Sequence, residues 1–273
     1  LRRAGRFAAH LVSTTRATRE LAELAEAVQA PVTTGRRIAV VSVRGGAGRS
    51  TVTALLGSVF AARRGDHVLA ADADPDHGSL AWRLGLRERE PLPVLAPRLL
   101  AARGVGELDP LLPRTAVGLW MLPGAPGGPP AVARDVTRAL SRFFAVCVTD
   151  CGRGLEGPGT AEVLAEAHAA VLVAPATPDG VRSTRAGLSR LPAALLSRVA
   201  VVLSTADRGG RAALDLGAAR AALAATGAPV VVLPYDRHLA AGTPIAPKRL
   251  AEATTVEATR LAGYALRCAG GPA

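Results

Sequence analysis

Residues 43 to 51 read VRGGAGRST, a run in which Gly45, Gly46 and Gly48 free the backbone to turn sharply and aim N–H groups inward. Such a nest, between an apolar strand and the start of a helix, is suited to an anion, because the helix presents its positive dipole end there. Ser50 adds a hydroxyl able to reach a divalent cation. Two further stations carry carboxylates. Asp72 and Asp74 flank one residue in VLAADADPDHG, and Asp150 closes the apolar run AVCVTD. A phosphate cradle with acids at the ends of nearby strands is chemistry for holding a metal–phosphate group and directing water at it. Each feature alone has a plainer reading: glycines serve ordinary turns, and Asp before Pro or Gly forms turns and caps. The combination favours the chemical one.

These groups need elements that bring them to one rim. From residue 37 onward, strand-like runs at 38–43, 68–73, 117–122, 145–150, 169–175, 199–204 and 229–234 alternate with helical stretches at 51–63, 131–143, 159–168, 180–190 and 211–225. The runs are continuously apolar, as parallel strands covered on both faces must be. The pattern predicts a doubly wound, mainly parallel α/β sheet with ligands outside the carboxyl ends of the strands. Residues 86–130 read as irregular. Residues 16–30 read as a helix with Leu21, Leu24, Ala25 and Val28 on one face, ended by Pro31. The expected division is a basic helical extension (1–35), a main domain (36–268) and a short tail (269–273).

The chain of 273 residues is 49% hydrophobic but only 3% aromatic, so its core must be built from Ala, Val and Leu. No apolar run approaches the ~20 residues of a membrane-spanning helix. Lys248 is the only lysine among 33 basic residues, and the net charge of +11 suits a polyanionic partner such as nucleic acid, or equally a solvated arginine-rich surface. Three cysteines without metal-ligand spacing, and no export signal in LRRAGRFAAHLV, give a cytoplasmic expectation.

In the order RGGAGRS, DADPDHG, AVCVTD, the chain resembles the deviant Walker A P-loop ATPases of the ParA/MinD family, over roughly residues 36–268, and VVVLPYDRHLAAGTPI resembles their MinD-like actinobacterial members. The resemblance implies ATP and Mg²⁺ as ligands. Gly45, Gly46, Ala47, Gly48, Arg49, Ser50 and Thr51 would cradle the phosphates, and Pro234 and Asp236 would border adenine. Ser50, Asp72 and Asp150 would attend the metal, and Asp74 would position the attacking water. Arg49 stands where the family has the lysine that meets the β- and γ-phosphates. Arg44 stands where a lysine crosses to the partner's nucleotide. Arginine keeps the charge but is planar and wider than an ammonium, so binding is expected to survive and hydrolysis to be slow.

The family resemblance further implies an ATP-dependent homodimer acting as a positioning or partitioning switch, with a regulatory protein partner. Non-specific DNA is a possible surface, and direct membrane binding is less favoured because ATRLAGYALRCAGGPA lacks a lysine-rich amphipathic tail. The alternative is a non-hydrolysing nucleotide-binding module. Ser204 replaces the asparagine that often reads adenine, and Cys151–Gly152 replaces the usual Thr-Pro-Pro. Cys151 reads as a small residue in a tight turn, His77 as a turn histidine, and Trp82 and Trp120 as packing residues.

Overall fold

The computed structural model describes residues 18–74, 78–87, 90–125, 127, 130–191, 193–206 and 214–270. His77, the start of the predicted 211–225 helix, most of the predicted tail and the first 17 residues lie outside them. Seven strands form one sheet: β1 (Arg36–Val41), β2 (Val68–Ala73), β3 (Trp120–Leu122), β4 (Val146–Cys151), β5 (Ala169–Pro175), β6 (Val199–Ser204) and β7 (Val230–Leu233). Their order is β3-β2-β4-β1-β5-β6-β7, and every pairing is parallel. Near-complete burial of these strands explains their unbroken apolar sequences.

Among the described residues the α-helices are α1 (18–29), α2 (Arg49–Arg63), α3 (Leu80–Leu84), α4 (Leu92–Ala101), α5 (Pro130–Leu140), α6 (Pro158–Glu166), α7 (Pro178–Leu188), α8 (Ala193–Leu196), α9 (Leu216–Ala224), α10 (Arg237–Ala240) and α11 (Glu252–Gly270). On one sheet face, Ile38, Val40, Val68, Ala70, Val146 and Val148 pack with Leu56 and Phe60 of α2 and Leu261 and Ala265 of α11. On the other face, α4 and α5 cover β2 and β3, while α6, α7 and α9 cover the other half.

Leu24 and Val28 of α1 are fully buried. α1 lies on α11 where Gly263 leaves room, since a Cβ there would stand 2.7 Å from Leu24. Arg64 at the end of α2 donates to the Val28 and Ala30 carbonyls at 2.6 and 3.0 Å, tying α1 to the main body.

Two expectations need correction. The stretch 86–130 is not wholly irregular: Leu92, Leu95, Ala96 and Leu99 give α4 a buried stripe. Its prolines hid it, yet Pro93 sits in the first turn, where its missing N–H removes no helical bond. Trp82 is not a packing residue of the core. It is 59% exposed, because the five-residue α3 turns Leu80, Ala81 and Leu84 inward instead. Its indole N–H donates to the Gly242 carbonyl at 2.8 Å. Trp120 is buried as expected.

Candidate functional site

β1 ends at Val41 and α2 begins at Arg49, so the glycine run forms the whole connection. Gly46 (φ 73°) and Gly48 (φ 94°) occupy the left-handed region, Gly48 as the residue preceding α2. A side chain at either would be strained. Neither Gly48 nor an acid in the first turn caps α2, which leaves its opening N–H groups directed at the loop.

Strand alternation sends Ser42, Asp72 and Asp150 to the face shared by Val40, Ala70 and Val148, the side on which α2 lies. Asp72 and Asp150 are register partners on adjacent strands. Asp72 is 1% exposed and fits only because residue 78 is glycine, whose Cβ would fall 1.9 Å from its Oδ2. Its Oδ1 accepts the Asp74 N–H at 3.1 Å.

Arg49 is buried and links the stations. Its Nη1 donates to Ser42 Oγ at 2.8 Å, and its Nη2 reaches Asp74 Oδ2 at 3.1 Å. Ser42 in turn donates to the Arg44 carbonyl at 2.6 Å. Asp150 is fully buried, and neither carboxylate oxygen has a hydrogen-bond partner in the structure. Burial, together with the Asp72 charge, pushes its pKa up to about 8, while Ser50 and Arg49 pull the other way. Ser50 is thus near enough to act on the carboxylate without closing a good hydrogen bond to it.

An orphaned buried carboxylate beside a hydroxyl and a second buried acid is a donor set for a hard divalent cation. Among the described residues no three His, Cys, Asp or Glu side chains converge as a self-sufficient metal cage.

The cleft beside this assembly has a volume of about 480 Å³ and is lined by Gly46 to Thr51, Asp74, Ser79, Arg83 and Arg153. A larger neighbouring hollow of about 650 Å³ is walled mainly by apolar groups such as Leu155, Leu164, Leu191 and Leu195. The charged chemistry belongs to the smaller one. Ser42, Ser79, Arg83 and Arg153 were missed in the sequence reading. Ser42 follows the first apolar run directly, and Arg153 stands between glycines three residues after Asp150, which are the only local signals.

Arg44 is exposed and pairs with Asp179 in the first turn of α7 at 3.0 Å. Pro234 and Asp236 follow β7 and are not among the residues lining the smaller cleft. Asp236 caps α10: one oxygen accepts the His238 and Leu239 N–H groups at 2.8 and 3.3 Å, the other accepts Ala251 at 2.9 Å. Burial would raise its pKa, but these bonds, led by that from Ala251, hold it below the usual carboxylate range. Cys151 is the last residue of β4 rather than part of a turn, and burial pushes its thiol pKa far up, leaving it protonated and inert. No described helix is long and apolar enough to cross a membrane.

A family described as the CobQ/CobB/MinD/ParA nucleotide binding domain matches residues 38–242. The ESX-1 secretion-associated protein EspI of Mycobacterium tuberculosis is 35% identical over 224 residues, covering 77% of this chain and 33% of that protein. The chain therefore spans about a third of the length of the curated relatives it matches. The cell division ATPase MinD of Pyrococcus furiosus superposes with a TM-score of 0.65 at 25% identity, covering 84% of this chain and 98% of that one. The septum site-determining protein MinD of Pyrococcus horikoshii, complexed with Mg-ADP, gives 0.61 at 22% identity, covering 84% and 94%.

Proposed function

The chain belongs to the CobQ/CobB/MinD/ParA nucleotide-binding family, and on that premise we propose that it binds Mg-ATP in the 480 Å³ cleft and works as a slow, dimerising ATPase switch. The observation that carries this reading is Asp150: a fully buried carboxylate with no partner of its own, at the rim that holds the glycine nest and Ser50.

The N–H groups of Gly46 to Thr51 and the α2 dipole would hold the phosphates. Ser50 and Asp150, with Asp72 behind them, would hold Mg²⁺, which when bound neutralises phosphate charge. Pro234 and Asp236 would border the base. Arg49 already forms its bonds to Ser42 and Asp74, so reaching a phosphate requires it to leave an acid that is itself needed to position water. Binding and water activation are then one exchange of partners, and phosphoryl transfer, which depends on placement, is slowed. In the ATP state Arg44 would cross to a second copy. ATP acts on the switch only through its differential affinity for the two states.

The relatives described as secretion-associated direct the role toward a secretion machine, with a regulatory protein partner, ahead of chromosome or plasmid partitioning. The arginine excess leaves non-specific DNA as a second surface, recognisable by steep weakening with salt.

A second reading is favoured by the same Arg49–Asp74 pair: with its acid neutralised, the protein would be a nucleotide-binding module that does not hydrolyse. Phosphate release from Mg-ATP by the purified protein and by Asp74→Ala separates the two. Higher turnover in the wild type supports the switch; equal background rates support the module. Failure to bind Mg-ATP at all would remove both.

A further inference from the structure

Three hydrogen bonds join α3 to the segment that follows β7. The Trp82 indole N–H donates to the Gly242 carbonyl at 2.8 Å, Arg83 Nη1 donates to the Leu239 carbonyl at 3.3 Å, and the Ile245 N–H donates to the Arg83 carbonyl at 2.8 Å. Pro244 closes on the turn that ends α3, where a Cβ on Gly85 would stand 3.4 Å from Pro244 Cβ. The segment is also braced within itself. Asp236 caps α10 and accepts the Ala251 N–H at 2.9 Å, and His238 Nε2 accepts the Ala246 N–H at 2.8 Å. It meets α3 as one preformed piece.

α3 is at the same time a wall of the 480 Å³ cleft, to which its cap and its body contribute Ser79 and Arg83. With five residues it is too short to hold itself, because helix nucleation is costly. Leu80, Ala81 and Leu84 seat its inner side on the core, and the three bonds fix its outer side. Trp82 is the unusual member. At 59% exposure its ring gains little from burial, and what its surroundings use is the indole N–H.

We propose that Trp82 is a positioning residue of the cleft: by latching residues 237–246 onto α3 it keeps Ser79 and Arg83 in place, and Mg-ATP in the cleft tightens that segment in return. The inference rests on the nucleotide reading above and adds a coupling between the cleft and a stretch none of whose residues lines it. Such coupling is reciprocal: whatever factor the latch adds to ligand binding, the ligand adds to the latch.

The test applies calorimetric titration with a Mg-bound non-hydrolysable ATP analogue, and hydrogen exchange with and without it, to wild type, Trp82→Phe and Trp82→Ala. Circular dichroism checks that all three are equally folded. In the wild type the analogue should slow exchange across 237–246. Trp82→Phe keeps the ring and loses the N–H. It should exchange faster there without ligand, lose most of the ligand's protection, and bind the analogue about two- to tenfold more weakly, the scale of one neutral hydrogen bond. Trp82→Ala should match it. Protection in Trp82→Phe equal to that of wild type, or none in a wild type that calorimetry shows to be loaded, would overturn the proposal while leaving nucleotide binding intact. Loss in Trp82→Ala alone would assign the effect to the ring and overturn it too. A wild type that takes up no analogue would overturn both readings.

Discussion

Arg49 and Asp74 form a nearly buried ion pair at 3.1 Å, with only 9% and 12% of their side chains exposed. A residue expected to grip phosphate and a residue expected to position water are thereby tied to each other. Asp74→Asn releases the guanidinium toward the nest but removes the acid. The expected outcome is ATP affinity equal to or tighter than wild type, with phosphate release at background. Weaker binding would mean that Arg49 does not move to the phosphates.

Asp150 costs the fold energy, because burial, together with the Asp72 charge, disfavours its ionised form more than Ser50 and Arg49 favour it. Asp150→Asn should therefore stabilise the nucleotide-free protein by about 1–3 kcal/mol, seen as an increase of several degrees in Tm. The same variant should lose the added stability that Mg²⁺ confers in the presence of ATP. A lower Tm without nucleotide would show that Asp150 is already satisfied.

Arg44 must leave Asp179 before it can reach across a dimer. Both side chains are about half exposed, so the pair contributes no more than ~1 kcal/mol. Asp179→Ala should scarcely change the monomer's Tm and should tighten Mg-ATP-dependent dimerisation by roughly two- to fivefold, read by sedimentation velocity. Looser dimerisation would argue that Arg44 acts within its own subunit.

His168 accepts the Arg37 N–H on Nδ1 at 3.0 Å. Partial burial first, then Arg37, Arg36 and Arg198, lower its pKa below the ordinary 6.5. Between the folded and unfolded values the unfolded chain holds more protons, so stability rises with pH. The contribution is complete above about 6.5 and is lost as the pH falls through the folded value. His168→Asn, which retains an acceptor, should flatten this acid limb in urea titrations at a series of pH values. An unchanged limb would place the titration elsewhere.

Leu24 is the seat of α1 on α11, fully buried beside Gly263. Leu24→Ala should destabilise the protein by about 2–4 kcal/mol and speed hydrogen exchange in residues 18–30. Faster exchange there with no change in Tm would mean that α1 opens independently of the main body.

The residue order alone disclosed the doubly wound sheet, because strands buried on both faces must be apolar throughout and the stretches between them carry helical periodicity. It placed the glycine run between the first strand and α2 and the acids at strand ends too, since both are local signatures, while the left-handed φ of Gly46 and Gly48, 73° and 94°, is read from the structure. Proline-rich α4 escaped notice because Pro93 and Pro97 look like breakers, yet Pro93 lies in the first turn and the helix continues through Pro97.

What only the tertiary structure decided is which charges meet. Ser42 and Asp74 are 7 and 25 residues from Arg49, Arg153 reaches Gly45 across more than a hundred, and Asp236 is drawn to the amide of Ala251. Sequence lists the ionisable groups and the strand ends that carry them. The order in which strands sit beside one another, with β4 inserted between β2 and β1, sets the distances over which Coulomb forces and hydrogen bonds choose their partners.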